Sequence, residues 1–241
     1  MAIFLSVDNG DTFNQVDADT NFYPKGASFG ETVVLVGSGG QPFTVSNDSG
    51  LTWTPGSLAA LGESWAIANE RTIQFYPEIG LWIGLCVNGN RIVFSPDGSN
   101  YSVLNFAGMA VNNPISQAFF NNNIYMFADT DKLFILKLDG TFIDLSANLW
   151  ARTEPASIIF SNMIVYKGRL YLIFSNGTIV YTSDGVNFHP CNTPILDRFG
   201  FSTVGVFPPP FIFDSNLYLW VEWEDELGTD SFHGFFKTLD G

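Results

Sequence analysis

Short apolar runs closed by Gly, Pro, Asn, Asp or Ser recur along all 241 residues of the chain. One set is almost continuously hydrophobic: TVVLVG (32–37), LWIGLC (81–86), IYMFAD (124–129), LYLIFS (170–175) and LYLWVE (217–222). Runs of this kind predict strands buried on both faces between neighbouring sheets. A second set of about five residues each, rich in β-formers, follows them: AIFLS (2–6), PFTVS (42–46), RIVFS (91–95), KLFIL (132–136), TIVYT (178–182) and GFFKT (234–238). A further strand precedes the buried runs, as in TIQFYP (72–77), ISQAFF (115–120) and SIIFSNMIVY (157–166). No stretch carries a helical period of convincing length; the nearest, GSLAALGESWAIA (56–68), reads as a loop leading into a strand. The pattern predicts an all-β chain.

After each second-set strand comes a repeated turn. Ser6, Asp8, Gly10, Thr12 and Phe13 in SVDNGDTF return as Ser46, Asp48, Gly50, Thr52 and Trp53 in SNDSGLTW. A shorter form joins Asp to Gly: Ser95, Asp97, Gly98, Asn100 and Tyr101, then Thr182, Asp184, Gly185, Asn187 and Phe188. Weaker copies are Asp139, Gly140 and Phe142 in KLDGTF, and KTLDG at residues 237–241. The aspartates at 8, 48, 97, 139, 184 and 240 are separated by roughly 40 to 56 residues, the period of propeller blades. An Asp opening a hairpin can accept bonds from backbone N–H groups just ahead of it, Gly supplies a positive φ, and the Thr or Asn adds a second polar tie. The aromatic then covers the turn.

Counting strands between repeats predicts four whole four-stranded blades, with boundaries near residues 19, 65, 112 and 153 and the last ending near 193. Residues 194–241 supply three more strands and residues 2–16 two. Pairing of these ends closes a fifth blade within a single domain, 1–241, and removes exposed sheet edges. One terminal strand is then surplus, so an extra outer strand, six blades with one incomplete, or pairing with another subunit are the alternatives.

The pattern S-x-D-x-G-x-T-aromatic resembles the Asp-box, or BNR repeat, of sialidases, sortilin-type receptors, several glycoside hydrolases and many phage or bacterial propellers. Four of the six copies match well, and the repeat covers essentially the whole chain. The resemblance implies a β-propeller whose boxes lie at the periphery, between the third and outermost strands of a blade, away from the central pocket. It therefore implies a structural role for the aspartates. Calcium would require several oxygens, whereas each box offers one carboxylate committed to its own backbone.

Charge narrows the partners. Acidic residues number 24 against 10 basic ones, a net −14, and the cations are scattered singly. Nucleic acid and anionic membrane surfaces would be repelled, and no run of 18 apolar residues is present to span a bilayer. The start MAIFLSVDNG has no basic segment and too short an apolar run for a signal peptide, so synthesis in the cytoplasm is expected; the sequons at Asn47 and Asn176 then carry little weight. Cys86 and Cys191 fall in non-adjacent repeats and are expected as free thiols, with Cys86 buried. His189 and His233 stand alone, so no metal or cofactor is expected.

Sialidases hold their substrate with three arginines and attack with a tyrosine. This chain has no FRIP-like segment, and of its five arginines (Arg71, Arg91, Arg152, Arg169 and Arg198) only Arg71 and Arg152 precede inner strands. Paired carboxylates for glycoside hydrolysis would come from Glu70, Glu78 and Glu154, or from the cluster Glu222, Glu224, Asp225 and Glu226, which Trp220 and Trp223 flank. That cluster reads first as a solvated loop between two strands. The expectation is a propeller without a catalytic set, similar to the short Asp-box propellers carried in bacteriophage virions as tail, fibre or head-decoration components. Its partners would be other virion or scaffold proteins, a second copy of itself, or a host glycan, with FPPPF (207–211) and NNN (121–123) as contact loops. A lectin or a glycosidase is the alternative.

Overall fold

The computed structural model describes residues 3–5, 12, 14–16, 25–36, 43–56, 73–86, 90–129, 131–150, 160–174, 178–191, 204–205, 211–224 and 231–237. The chain divides into two compact units, residues 1–114 and 115–241.

In the first unit, β1 (Ile3–Leu5) and β2 (Asn14–Val16) pair as a two-stranded ladder. Two antiparallel meanders follow in chain order. One is β3 (Lys25–Phe29), β4 (Thr32–Val36), β5 (Phe43–Ser46) and β6 (Thr54–Gly56); the other is β7 (Ile73–Tyr76), β8 (Leu81–Leu85), β9 (Arg91–Ser95) and β10 (Ser102–Asn105). Val34 and Val45 of the first meander close a core with Ile73, Trp82, Cys86 and Val93 of the second.

The second unit repeats the arrangement. Its first meander is β11 (Pro114–Phe120), β12 (Asn123–Ala128), β13 (Lys132–Leu136) and β14 (Phe142–Asp144); its second is β15 (Phe160–Tyr166), β16 (Arg169–Phe174), β17 (Ile179–Thr182) and β18 (His189–Pro190). All four meanders fall inside the boundaries expected from the strand count. The continuous hydrophobicity of the second strands has its cause here. In β16, Leu170, Leu172 and Phe174 enter one core with Phe127 and Leu133, while Tyr171 and Ile173 enter another with Leu217. Each face of the sheet meets a different neighbour, so neither can be polar.

The last sheet is built differently. β19 (Val204–Gly205) and β20 (Phe211–Phe213) both pair with the nine-residue β21 (Asn216–Glu224), at Trp223 and Glu222 and at Tyr218 to Asn216 respectively. β22 (Ser231–Lys237) runs along β21 from Tyr218 to Glu224. Because β22 takes one edge, β19 and β20 share the other. Four strands thus stand where three were expected from residues 194–241, because the stretch ahead of β21 supplies two short strands, β19 and β20, on one edge.

Hairpin turns between first and second strands follow a rule of their own. Each is entered by an aromatic: Phe29, Tyr76, Phe120, Tyr166 and Phe213. Three have consecutive positive φ values, at Asn121 (48°) and Asn122 (59°), Lys167 (46°) and Gly168 (71°), and Asp214 (47°) and Ser215 (58°). Two positive values in a row are the signature of type I′ turns, whose twist matches that of the flanking strands. The one helix among the described residues, α1 (Ser146–Trp150), follows β14. The Asp144 carboxylate accepts the Ser146 N–H at 2.8 Å and its hydroxyl at 2.6 Å, capping the helix, and buries Leu149 beneath it. Five residues are too few for a period to register in the sequence.

Candidate functional site

Four of the repeated turns are described in full, and three of them, at Asp48, Asp97 and Asp184, share one closed hydrogen-bond set. At the turn joining β5 to β6, the Ser46 hydroxyl donates to Asp48 Oδ1 (2.7 Å) and accepts the Gly50 N–H (2.7 Å). Asp48 Oδ1 also accepts the Thr52 N–H (2.8 Å), and Oδ2 accepts the Thr52 hydroxyl (2.5 Å). The shorter form uses asparagine for the same work. Asp97 Oδ1 accepts the Ser95 hydroxyl and the N–H groups of Ser99 and Asn100 (2.8 Å each), while Oδ2 accepts Asn100 Nδ2 (2.7 Å). Asp184 repeats this with the Thr182 hydroxyl, the N–H groups of Val186 and Asn187, and Asn187 Nδ2.

Asp139 differs for a visible reason. Lys137 stands where the others have Ser or Thr, so the Lys137 carbonyl takes the Gly140 N–H (3.0 Å), and Asp139 is left with the N–H and hydroxyl of Thr141. Of the remaining predicted positions, Thr12 is exposed, and Ser6, Asp8, Gly10, Phe13 and Asp240 lie outside the described residues. Phe188 is buried, and Trp53, Tyr101 and Phe142 are half-buried.

These bonds set the acidity of the carboxyls. The Thr52 hydroxyl and N–H, with the Ser46 hydroxyl, hold Asp48 down at about 2. Partial burial pushes Asp97 up, but the Asn100 N–H and side-chain amide, with Ser99 and Ser95, outweigh it and leave the carboxyl well below the usual range. The N–H and amide of Asn187 and the N–H of Val186 do the same for Asp184. A carboxylate so stabilised as an anion is a poor proton donor, and both of its oxygens are engaged in the turn.

The turns also join one sheet to the one before it. Gly98 has φ +75°, and a Cβ there would lie 3.1 Å from Val34 and 3.2 Å from the Trp82 Nε1. Gly185, at φ +85°, sits over Tyr125, whose hydroxyl donates to the Gly185 carbonyl (3.1 Å). Burial, with the Asp184 charge nearby, pushes the Tyr125 hydroxyl up to about 12. Asn121 Nδ2 reaches the Ser183 carbonyl and Asn148 Nδ2 the Val186 carbonyl, each at 3.3 Å. The NNN segment is thus tied to its neighbouring turn through Asn121, where the sequence suggested a contact loop.

The acids and arginines considered for catalysis are not drawn together among the described residues. Glu78 is exposed on the β7–β8 turn. The backbones of Glu222 and Glu224 lie in β21, opposite His233 and Ser231; this corrects the reading of that stretch as a loop for these two positions, because the ladder extends through them. Glu70, Glu154, Asp225, Glu226, Arg71, Arg152 and Arg198 lie outside the described residues, as do residues 207–210 of FPPPF. No group of three or more His, Cys, Asp or Glu able to hold a metal ion occurs among the described residues, and no helix there is long and apolar enough to cross a membrane. Cys86 and Cys191 are free thiols, the first buried and the second half-buried.

No protein-family model matches the chain. No curated protein matches it either. Solved structures do. YCF48 bound to a D1 peptide aligns over 90% of this chain and 68% of its own, at a TM-score of 0.64 and 14% identity. YCF48 from Cyanidioschyzon merolae aligns over 94% and 76%, at 0.58 and 11%. A catalytically inactive H270A virginiamycin B lyase from Staphylococcus aureus, solved with quinupristin, aligns over 92% and 73%, at 0.61 and 12%. Identities this low speak for the fold alone, and the fold they share is the β-propeller.

Proposed function

We propose that the chain is a non-enzymatic β-propeller that serves as a structural and binding scaffold, presenting its loops to another protein. The observation that carries this reading is the fate of the repeated carboxylates, which spend both oxygens on their own turns at Asp48, Asp97 and Asp184. They act as Asp-boxes that hold sheets together. Among the structural neighbours, YCF48 holds a D1 peptide, which supports protein recognition as a use of this architecture. The setting we propose is a bacteriophage virion, with synthesis in the cytoplasm followed by assembly into a tail, fibre or head, and with virion proteins, a second copy or a host glycan as partners.

Native mass determination of the purified chain, alone and after incubation with purified virion proteins, tests this. A complex of defined stoichiometry is the expected outcome. A chain that stays monomeric and binds only soluble glycans, or that releases sugars from them, would refute the scaffold reading in favour of a lectin or a glycosidase.

A further inference from the structure

Three of the chain's four Asp-Gly pairs fall in the described turns, at Asp97 and Gly98, Asp139 and Gly140, and Asp184 and Gly185. Such a pair carries its own reaction. The glycine nitrogen can attack Cγ of the aspartate before it, forming an N–Cγ bond; the nitrogen gives up its proton, a carboxyl oxygen departs as water, and a five-membered succinimide is left. Water then re-opens the ring. Cleavage of the N–Cγ bond restores aspartate, whereas cleavage between the nitrogen and the main-chain carbonyl gives isoaspartate, whose backbone runs through Cβ and Cγ. Glycine favours the attack because it has no Cβ to crowd the approach.

The three pairs share a backbone, with φ +75° at Gly98 and +85° at Gly140 and Gly185, but not a clasp. In two of them a hydroxyl stands between the reacting groups. Ser95 Oγ accepts the Gly98 N–H at 2.9 Å and donates to Asp97 Oδ1 at 2.8 Å. Thr182 Oγ1 accepts the Gly185 N–H at 2.8 Å and donates to Asp184 Oδ1 at 3.0 Å. Ser95 and Thr182 are both 0% exposed, and both glycines are buried. Asp97 and Asp184 each hold four bonds spread over both oxygens. Lys137 supplies no such bridge. The Gly140 N–H goes to the Lys137 carbonyl at 3.0 Å, and Gly140 is only half-buried. Asp139 is exposed and keeps two bonds, both from Thr141 and both on Oδ1.

We propose that Asp139 is a site of spontaneous isoaspartate formation, set apart from Asp97 and Asp184 by the hydroxyl bridge that Lys137 replaces. Closure at Asp97 or Asp184 must pull the carboxylate from four bonds and lift a buried glycine nitrogen off its hydroxyl. At Asp139 the two Thr141 bonds and one carbonyl contact stand in the way. The departing oxygen leaves as water only from a protonated carboxyl. Thr141 holds Asp139 below the usual range, through its hydroxyl first and its N–H second, so closure there is slowed without being barred. Isoaspartate adds a methylene to the main chain between β13 and β14, which costs the Thr141 clasp and the Lys137 N–H bond to the Thr141 carbonyl (3.0 Å) their register. The inference stands apart from the scaffold reading.

The test incubates the full chain at neutral pH in heavy-oxygen water, digests it in ordinary water and maps the three peptides. Each passage through the succinimide leaves one heavy oxygen in the residue, whichever way the ring opens. Isoaspartate is recognised by its accepting a methyl group from S-adenosylmethionine in the presence of an isoaspartyl methyltransferase. Label enters the Asp139 peptide at least about tenfold faster than the other two, a barrier difference of about 1.4 kcal/mol. Loss of one hydrogen bond to a charged group is enough for that. In urea the three rates converge, since the dipeptide is the same. Lys137→Thr restores a bridging hydroxyl and slows Asp139 toward the others; Lys137→Gln removes the same charge and does not slow it. Thr182→Val speeds Asp184. Equal labelling of the three peptides in the folded chain overturns the proposal, as does a lead for Asp139 that persists in urea. Equal rates in Lys137→Thr and Lys137→Gln overturn it too, by removing the hydroxyl bridge as the cause.

Discussion

Gly185→Ala is the sharpest probe of how the sheets are joined, because two separable penalties meet there. The first is conformational: at φ +85° an L residue in this region costs about 1–2 kcal/mol. The second is steric. The new Cβ would overlap the Tyr125 hydroxyl oxygen, forcing a buried ring to move and breaking its bond to the Gly185 carbonyl. Overpacking of that kind costs about 1–3 kcal/mol. The sum is about 2–5 kcal/mol, or a melting shift of roughly 4–20 °C for a chain of this size. Gly168→Ala isolates the first term, since φ is +71° and nothing lies within 4 Å. It should cost only about 1–2 kcal/mol. Tyr125→Phe isolates the second: without the hydroxyl, the nearest ring atom is Cζ at 3.2 Å from the added Cβ, so Gly185→Ala in that background should cost less than in the native chain. Urea unfolding of the single and double variants, with the slope checked for constancy, measures the coupling. If Gly185→Ala costs no more than Gly168→Ala, or if Tyr125→Phe does not relieve it, the turn does not seat on Tyr125 as described.

Two further outcomes are expected. Asp48 is held at about 2 when folded and titrates near 3.9 when unfolded, so its contribution is complete above about pH 4 and drains away as pH falls toward 2. Urea midpoints of Asp48→Asn should be lower than native at pH 7 and should converge on native by about pH 2; a constant gap across that window would show that the charge is not what the turn uses. Tyr166→Phe removes only the bond to the Ser215 carbonyl and should lower stability by about 1 kcal/mol. A fluorescence-monitored melt showing no change would mean that the carbonyl finds water at no cost.

The aspartate turns were readable because all of their bonds close within four residues of one another, from Ser46 to Thr52 or from Thr182 to Asn187. Residue types at fixed offsets therefore carry the whole requirement. The buried second strands were readable for a different reason, since two-faced burial leaves no polar position to mask. What escaped was long-range or unsignalled. Nothing near Gly185 points to Tyr125, sixty residues earlier. The type I′ turns at Lys167 with Gly168 and at Asp214 with Ser215 each pair a residue that accepts positive φ with one, Lys167 or Ser215, that adopts it reluctantly, so a turn is signalled there but its type is not. The aromatics at Phe29, Tyr76, Phe120, Tyr166 and Phe213 did form a visible repeat, one position before each inner turn, and alignment on those turns rather than on the aspartates finds it. The surroundings of Arg169 carry no local signal either, since the Tyr181 ring, 4.7 Å from its guanidinium, belongs to the neighbouring strand twelve residues on.

The local closure of the aspartate turns bears on how the chain reaches its native state. A hairpin whose clasp needs only neighbouring residues can form in about 1–10 μs, ahead of any contact between distant segments. Each outer hairpin then arrives with its register already chosen, and the slow events left are the meetings of whole sheets, such as Tyr125 with Gly185 or Tyr166 with Ser215. A lesion in a clasp should therefore slow folding, whereas a lesion in a joint should chiefly hasten unfolding.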